Sequence, residues 1–329
     1  MRNSDSTKAL DWGFLERMAW LRSRSPSRPG LRSIALTAGV PVTFVLAWSS
    51  AYVVGDLGVR SAPPFTLLLA RFGLATLVMF GIVGLTKAPW PKGKRAFAHI
   101  AVAGVLVQGL QFLAVYSGFK LGVPAAISSL VIGLNPLLTA LLAGPALGER
   151  LTPRQLWGFL LGIAGVVLAV AKGLDFSERY FAGVVVTVVG LLALSGGTVY
   201  QKKFCPEMDL RTGAAVQLLA STCLAAACAF VFEDVHIDQA GLFVFSVGWL
   251  ALVNSIIAFT LFYAMIRRGE VVRASTMFFL VPSVTAIIAA VTLDEPLSGF
   301  AIAGFTLAAA GVILAASRRS PARAGARGG

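Results

Sequence analysis

The sequence predicts an all-α integral membrane protein with ten transmembrane helices, arranged as two inverted five-helix repeats. The first observation behind this prediction is composition: 57 % of the 329 residues are hydrophobic and only 13 % are charged. A soluble domain carries about twice that charged fraction. Windows of about 20 apolar residues, the length that crosses roughly 30 Å of hydrocarbon, recur along the chain. The composition therefore argues against a soluble protein.

The second observation is an internal repeat. Residues 136–170 return as residues 282–316 when 146 is added to each number, and the alignment contains no gap. Fifteen of the 35 aligned positions are identical, including Pro136 with Pro282 and Glu149 with Glu295. Shared hydrophobicity alone does not give this agreement. Each copy is predicted to form an apolar helix, a short acidic turn and a second apolar helix rich in small residues.

The hydrophobic windows divide the chain into four parts. These are a basic N-terminal tail (1–33), a first five-helix repeat (34–171), a second five-helix repeat (172–316) and a basic C-terminal tail (317–329). The predicted spans are 34–54, 65–85, 97–119, 125–144, 154–171, 181–200, 212–232, 242–266, 274–291 and 297–316. The N-terminal tail allows either an interfacial amphipathic helix or a loosely ordered basic segment.

The distribution of basic residues predicts the orientation. With the N-terminus in the cytoplasm, the cytoplasmic segments hold 23 of the 28 lysines and arginines. The external loops then hold only Arg60, Lys120, Lys172 and Arg179. Both termini are therefore expected inside the cell, with the basic segments against an anionic leaflet rather than nucleic acid. Five spans separate the two repeat copies, so Glu149 is expected on the cytoplasmic side and Glu295 outside. Inverted repeats of this kind are common in secondary transporters.

The sequence resembles the EamA family of the drug/metabolite transporter superfamily. The motifs that carry the resemblance are LAWSSAYVVGDLG in the first span, APPFTLLLARF after it, and the stretch GVPAAISSLVIGLNPLLTALLAGPALGERLTPRQLWGFLLGIAGVVL with its second-half partner. The resemblance covers roughly residues 34–316. It implies a ten-helix carrier of the bacterial inner membrane, commonly an exporter, that works by alternating access. It also places an Arg-Phe pair at Arg71 and Phe72, but it does not define the substrate.

Arg71 is the one charged residue predicted inside a span. A charge at this depth is costly and suggests a functional site. Two roles are open. Arg71 either faces the cavity and binds a carboxylate or other anionic group of the substrate, or it caps helix carbonyls and extends toward the interface.

Neutral polar and aromatic side chains in the spans are the next candidates for substrate contacts. Buried amides in lipid find partners on other helices or in a wet cavity. As single residues they are explained by helix–helix contacts; as a set they are expected to line a pathway. The set is Trp48, Ser49, Tyr52, Gln108, Gln111, Tyr116, Asn135, Ser195, Tyr200, Asn254 and Tyr263. Gln108 and Asn254 are also repeat partners.

Two matched prolines, Pro136 and Pro282, interrupt corresponding spans. Each removes a backbone donor, and matched interruptions are good indicators of a binding site in repeat transporters. They are interpreted as flexible points of the fourth and ninth helices, with a static kink as the alternative.

The sequence provides no candidate for several other chemistries. All fifteen acidic residues fall in loops or at helix ends, and the two histidines, His99 and His236, are isolated. No metal site, cofactor or catalytic residue is therefore predicted, and a membrane-embedded enzyme is the least favoured class. Glu149 and Glu295 are expected to have structural roles at turns. The expected function is export of a small organic metabolite, with an amino acid or similar carboxylate favoured. The alternative is a flippase for a lipid or a lipid-linked sugar.

Overall fold

A computed structural model describes residues 31–147, 152–171, 177–258, 261, 277–295 and 298–316. The N-terminal tail before residue 31, Glu149, Lys172, Tyr263 and the C-terminal tail after residue 316 lie outside the described residues. The chain divides into a unit up to Val40 and a compact unit from Pro41 onward. The described part of the first unit is the start of the first helix.

The described residues form ten helical stretches, α1 to α10, and no strand. They are α1 (Leu31–Gly58), α2 (Pro64–Thr86), α3 (Lys94–Lys120), α4 (Ala125–Gly133 and Asn135–Leu147), α5 (Pro153–Ala171), α6 (Glu178–Phe204), α7 (Leu210–Phe232), α8 (Ala240–Ala258), α9 (Phe278–Leu280 and Val281–Thr292) and α10 (Gly299–Ala316). Eight of these are long and apolar enough to cross a membrane, and the described parts of α9 and α10 are shorter apolar helices. The predicted span limits agree with these bounds within a few residues wherever both are described.

Local sequence explains several helix ends. Pro64 opens α2 and Pro124 precedes α4, at positions where a helix needs no backbone N–H donor. Ser177 and Asp209 accept hydrogen bonds from the first-turn amides of α6 and α7 through their side chains. Helix α1 runs on past residue 54, so Asp56 lies in its last turn, where it pairs with Arg60 at 2.8 Å.

Helices α2 and α7 pack side by side, and their bounds differ by the repeat offset of 146 residues. Thr76 on α2 bonds Thr222 on α7 near the middle of both helices. The start of α2 contacts Glu233 after the end of α7. The start of α7 contacts Pro89, just beyond the end of α2. These contacts require the two helices to run antiparallel.

Helices α5 and α10 cross through glycines. A Cβ atom at Gly165 would lie 2.6 Å from the Gly304 carbonyl oxygen, and one at Gly304 would lie 2.5 Å from the Gly165 oxygen. Gly158 and Gly311 make the same reciprocal contact at a second point along the two helices. The small residues therefore bring the two backbones into direct contact.

Two long helices contain π-helical turns at matching positions. These are Val105–Leu110 in α3 and Trp249–Ala258 in α8. Gln108 lies in the first and Asn254 in the second, 146 residues apart. Wide turns of this kind are rare and occur frequently at functional sites. The sequence did not predict the π turns, although it singled out both residues within them.

Contacts between helix ends define two ends of the compact unit. At the Glu295 end, Glu233 and Glu295 meet the starts of α2 and α4. At the opposite, Lys203 end, Lys203 donates to the Ala146 carbonyl oxygen, beside the end of α4. These contacts place the starts of α2 and α4 and the ends of α7 and α9 at the Glu295 end, and the end of α4 at the Lys203 end.

Candidate functional site

Arg71 lies seven residues into α2 from the Glu295 end and is only 3 % exposed. Its Nη1 donates a 2.7 Å hydrogen bond to the Tyr116 hydroxyl on α3. Its guanidinium carbon lies 4.2 Å from the ring centre of Phe112. Arg71 lies inside a helix that is long and apolar enough to cross a membrane, as the sequence predicted. Its side chain is buried, so the alternative of an extension toward the interface is not seen.

The surroundings of Arg71 are aromatic. Phe72 and Tyr116 also present rings within 6 Å of the guanidinium carbon, and Tyr52 on α1 packs against the apolar cluster that contains Phe72 and Tyr116. Within the described ranges, no carboxylate lies within 4 Å of Arg71, and its Nε has no hydrogen-bond partner. The site therefore offers a desolvated cation stabilised by π faces and one hydroxyl.

Three of the predicted residues on α1 and α8 instead join helices. The Ser49 hydroxyl donates to the Val281 carbonyl at 3.2 Å, and Asn254 Nδ2 donates to the Ala47 carbonyl. Trp48 meets Phe278 edge to face, with ring centres 4.9 Å apart. These bonds tie α1 to α8 and α9, which is the helix–helix role. Asn254 Oδ1 has no partner among the described residues.

Asn135 and Ser195 form a separate polar contact. The Ser195 hydroxyl donates to Asn135 Oδ1 at 2.9 Å, and the Thr139 hydroxyl donates to the same oxygen at 3.0 Å. Asn135 begins the second segment of α4, so this contact fixes the break in α4 against α6.

An amide chain crosses three helices toward the Lys203 end. Gln108 Nε2 donates to Gln217 Oε1 at 3.4 Å, and Gln217 Nε2 donates to Gln201 Oε1 at 2.9 Å. Gln111 is buried beside this region but is not part of the chain. Gln217 and Gln201 were missed by sequence reasoning, although Gln217 lies 146 residues after Arg71.

His99 on α3 contacts two aromatic residues of α6. Its Nδ1 lies 2.7 Å from the Tyr200 hydroxyl, and its ring stacks on Phe204 at 4.9 Å. A histidine on α3 and a tyrosine on α6 are 101 positions apart, and no sequence pattern relates them. Tyr200 is therefore a partner of His99 near the Lys203 end, and its ring and hydroxyl contacts in the described part of the chain are with His99 and Phe204 rather than with Arg71.

Both prolines mark breaks in their helices. Pro136 is the second residue of the segment that begins at Asn135, and Pro282 is the second residue of the segment that begins at Val281. A Cβ atom at Gly133 would lie 3.0 Å from Pro282 Cγ, so the two breaks face each other. The interruptions are present as the sequence predicted, and their flexibility remains a prediction.

Two glutamates accept hydrogen bonds from the first amides of helices that lie far from them in the sequence. Glu233 accepts from the Phe65 and Thr66 amides at 2.9 and 2.8 Å. Glu295 accepts from the Ala125 and Ala126 amides at 2.9 and 3.4 Å. Burial raises the pKa of Glu295 above its usual value, and these two amide bonds oppose the shift. Glu295 therefore has the structural role that was expected of it, and the helix that it caps begins 170 residues earlier in the chain.

The structure therefore brings together only part of the predicted set. Arg71 and Tyr116 are bonded to each other, and Tyr52 packs against the apolar cluster that contains Tyr116. Trp48 packs edge to face on Phe278, and Gln111 is buried. The other described members lie in separate polar contacts: Ser49, Gln108, Asn135, Ser195, Tyr200 and Asn254. Among the described residues, no three His, Cys, Asp or Glu side chains are grouped in a way that holds a metal ion.

Comparisons with known proteins place this geometry in a family. The model of the EamA-like transporter family matches residues 36–171 and again residues 181–317. A Salmonella typhimurium protein named "Probable amino-acid metabolite efflux pump" is 27 % identical over 82 % of this chain and 91 % of its own length. The Escherichia coli protein of the same name is 26 % identical over the same shares.

Two further likenesses are more distant. The "Uncharacterized inner membrane transporter YedA" of Escherichia coli is 25 % identical over 84 % of this chain and 87 % of its own length. One solved crystal structure, 24 % identical, superposes with a TM-score of 0.62 over 84 % of this chain and 96 % of that one, which shows a shared fold. With both halves matched by the family model, the chain belongs to the EamA-like transporter family of the drug/metabolite transporter superfamily, a family of membrane transporters rather than enzymes.

Proposed function

We propose that this protein exports a small organic metabolite with a carboxylate group, an amino acid or a similar solute, by alternating access. Arg71 is the proposed ligand of that carboxylate. The observation that carries the proposal is the buried guanidinium with no carboxylate partner among the described residues.

Burying a cation in a membrane protein is costly unless its charge is compensated. The partners of Arg71 on the protein are the neutral Tyr116 hydroxyl and three aromatic rings. Its free Nε faces no acceptor in the described structure. A substrate carboxylate supplies both the charge and the acceptors, through a charge-assisted and often bidentate contact. Such a contact contributes on the order of 1.5–3 kcal/mol.

The names of relatives support the same class of solute. The Salmonella typhimurium and Escherichia coli relatives are both named as probable amino-acid metabolite efflux pumps. An amino acid carries the carboxylate that the Arg71 site lacks. The organic part of the solute would contact the rings of Tyr52, Phe112 and Tyr116.

The proposed architecture is ten transmembrane helices in two inverted five-helix repeats. It is supported by antiparallel contacts between helices of equivalent sequence, at Thr76 with Thr222 and at Gly165 with Gly304. The matched π turns around Gln108 and Asn254 support it as well. Inverted repeats allow two similar halves to rock about a shared site. The matched breaks at Pro136 and Pro282 are the proposed flexible points of that motion.

The proposed location is the bacterial inner membrane, with both termini in the cytoplasm. The relative named as an inner membrane transporter supports the location. The proposed orientation, with the Lys203 end inside and the Glu295 end outside, is supported by the distribution of lysine and arginine along the sequence.

A lipid or lipid-linked sugar flippase is the second candidate, and one observation favours it. A cavity of about 850 Å³ is lined almost entirely by apolar side chains of α4, α5 and α6, including Leu134, Phe159 and Val188. A lipid tail suits such a surface. This candidate does not use Arg71, so the two functions can be separated by substitutions at that residue.

The test is transport by purified protein in proteoliposomes, normalised to the amount of folded carrier. The solutes are the L-amino acids, followed by the carboxamide of the one transported best. Arg71→Gln should reduce transport of the acid strongly and of the carboxamide little. Arg71→Lys should give an intermediate result, because it keeps the charge and loses the planar fork.

Tyr116→Phe is the matched control. It removes the hydroxyl partner and leaves the guanidinium, so the preference for the acid should survive. If Arg71→Gln leaves the ratio of acid to carboxamide transport unchanged, Arg71 is not a substrate ligand. Transport of a fluorescent phospholipid instead of amino acids would favour the flippase.

A further inference from the structure

A cavity of about 470 Å³ with charged residues in its lining opens at the Glu295 end, and its size suits a small organic ligand. It lies among the last turn of α1, the end of α3, the start of α6 and the turn before α10. Its charged lining consists of Asp56, Arg60, Lys120, Arg179 and Glu295. Phe119 is among its apolar lining residues. We name this cavity the vestibule.

Both acids of the vestibule are already engaged. Asp56 pairs with Arg60 at 2.8 Å, and Glu295 accepts from the first amides of α4. The remaining cations are Lys120 and Arg179, and no described carboxylate lies within 4 Å of either. Arg179 Nη2 donates to the Lys120 carbonyl oxygen at 2.8 Å, which holds the guanidinium at the rim of the vestibule. The vestibule therefore presents an excess of positive charge to a solute.

One aromatic ring separates the vestibule from the Arg71 site. Phe119 lines the vestibule, and its ring centre lies 5.5 Å from that of Tyr116, the hydrogen-bond partner of Arg71. The α1 backbone closes against both rings at Gly55, where a Cβ atom would lie 3.0 Å from the Tyr116 hydroxyl and 3.1 Å from Phe119. A solute that passes this layer moves directly from one cationic site to the other.

We propose that the vestibule is a second carboxylate-binding site on the transport pathway, in which Lys120 and Arg179 hold the solute on the far side of Phe119 from Arg71. The inference rests on the proposed transport of carboxylates and adds a site that Arg71 alone does not provide. A guanidinium in a desolvated site holds an anion tightly and slows its release. A second, solvated pair of cations one ring away offers the carboxylate an intermediate position, because charge interactions in water are weaker than in the buried site.

The test measures half-saturating concentrations for exchange of an amino acid from each side of the membrane. Intact cells and inside-out vesicles give the two sides, and the side from which Arg179→Cys is labelled identifies the vestibule. Lys120→Gln combined with Arg179→Gln should raise the half-saturating concentration on the vestibule side about tenfold. The value on the other side should stay unchanged. Lys92→Gln combined with Lys94→Gln removes the same charge from exposed residues outside the vestibule and is the control.

The outcomes separate this proposal from its alternatives. An equal change on both sides, or no change on either, overturns the vestibule site. An effect seen in phosphatidylglycerol vesicles and absent in phosphatidylcholine vesicles also overturns it, since the two cations then bind lipid headgroups. The acid-to-carboxamide ratio of Arg71→Gln is measured in parallel. If that ratio changes while the vestibule variant behaves as wild type, the proposed function stands and only the second site fails.

Discussion

The side-chain hydroxyls of Thr76 and Thr222 share a hydrogen bond of 3.0 Å, and the two residues lie 146 positions apart, the spacing of the internal repeat. Each is therefore the sequence counterpart of the other. Under the proposed two-fold relation, the axis passes between these two hydroxyls. Motion of one half against the other displaces atoms on such an axis least, so the contact can persist in both access states.

Loss of the threonine contact should be non-additive. Thr76→Val and Thr222→Val each remove the bond and leave the other hydroxyl without this partner, so each should cost about 1 kcal/mol of stability. The double substitution should cost clearly less than the sum, as expected for residues in direct contact. Thermal unfolding of all four forms in detergent measures the coupling. Thr86→Val, at the exposed end of α2, is the control, and purely additive effects would show that the contact contributes nothing.

Gly165→Ala should destabilise the protein by about 1–3 kcal/mol, the usual range for overpacking. Its new Cβ would lie 2.6 Å from the Gly304 oxygen and 2.7 Å from the Ala308 nitrogen, and backbone atoms do not yield as flexible side chains do. Gly81→Ala on α2 meets nothing within 4 Å and should cause no loss. Thermal unfolding in detergent compares the two variants. Equal behaviour would mean that α5 and α10 do not cross this closely.

Glu295→Gln should remove a pH dependence of stability. The pKa of Glu295 is raised, chiefly by burial, so the folded state binds its proton more tightly than the unfolded state does. Stability should then fall as pH rises from the ordinary value of 4.5 through the raised pKa, and level off above it. Unfolding temperatures between pH 4.5 and 8 should show this slope in the wild type. The slope should be reduced in Glu295→Gln and retained in Glu207→Gln, whose side chain is exposed.

The sequence was sufficient for the helices and for Arg71, because both depend on local composition. A run of apolar residues marks a span wherever it packs, and a lone arginine within one is conspicuous at any depth. Thus the predicted second span, 65–85, differs from Pro64–Thr86 by one residue at each end.

The contact partners of these residues could not be predicted from the sequence, because the contacts join distant parts of the chain. Glu295 caps a helix in the other half of the chain, and no local pattern encodes a contact 170 residues away. Gln217 and Thr222 had an available signal, since adding 146 to Arg71 and Thr76 reaches them. That signal is faint, because α2 and α7 share few identical residues.

Labelling of introduced cysteines should establish the orientation. Arg179→Cys lies at the Glu295 end and should react with a membrane-impermeant maleimide added to intact cells. Lys203→Cys lies at the opposite end and should react only after the membrane is opened. Both variants should be made in protein in which Cys205, Cys223 and Cys228 have been replaced, since all three thiols are free. Equal labelling of both positions in intact cells would refute the proposed topology.

Transport should persist in proteoliposomes without an imposed pH gradient. Proton-coupled carriers often use a carboxylate or histidine within the membrane. In the described part of the chain the buried or half-buried carboxylates are Asp56, Asp209, Glu233 and Glu295, and each lies in the last turn of a helix or just outside a helix end. Among these, Asp56 is paired with Arg60 and Glu295 is held by the amides of α4, so neither reaches the Arg71 site. The charge that crosses the membrane during transport is then the charge of the solute itself. The measurement is the initial transport rate of the wild type and of Glu295→Gln, with equal and with unequal pH across the membrane. The pH gradient should change the rate only weakly, and to the same extent in both proteins. A strict requirement for inward proton movement that disappears in Glu295→Gln would instead identify Glu295 as a coupling residue, and the path from Arg71 through the vestibule would then carry a proton against the solute.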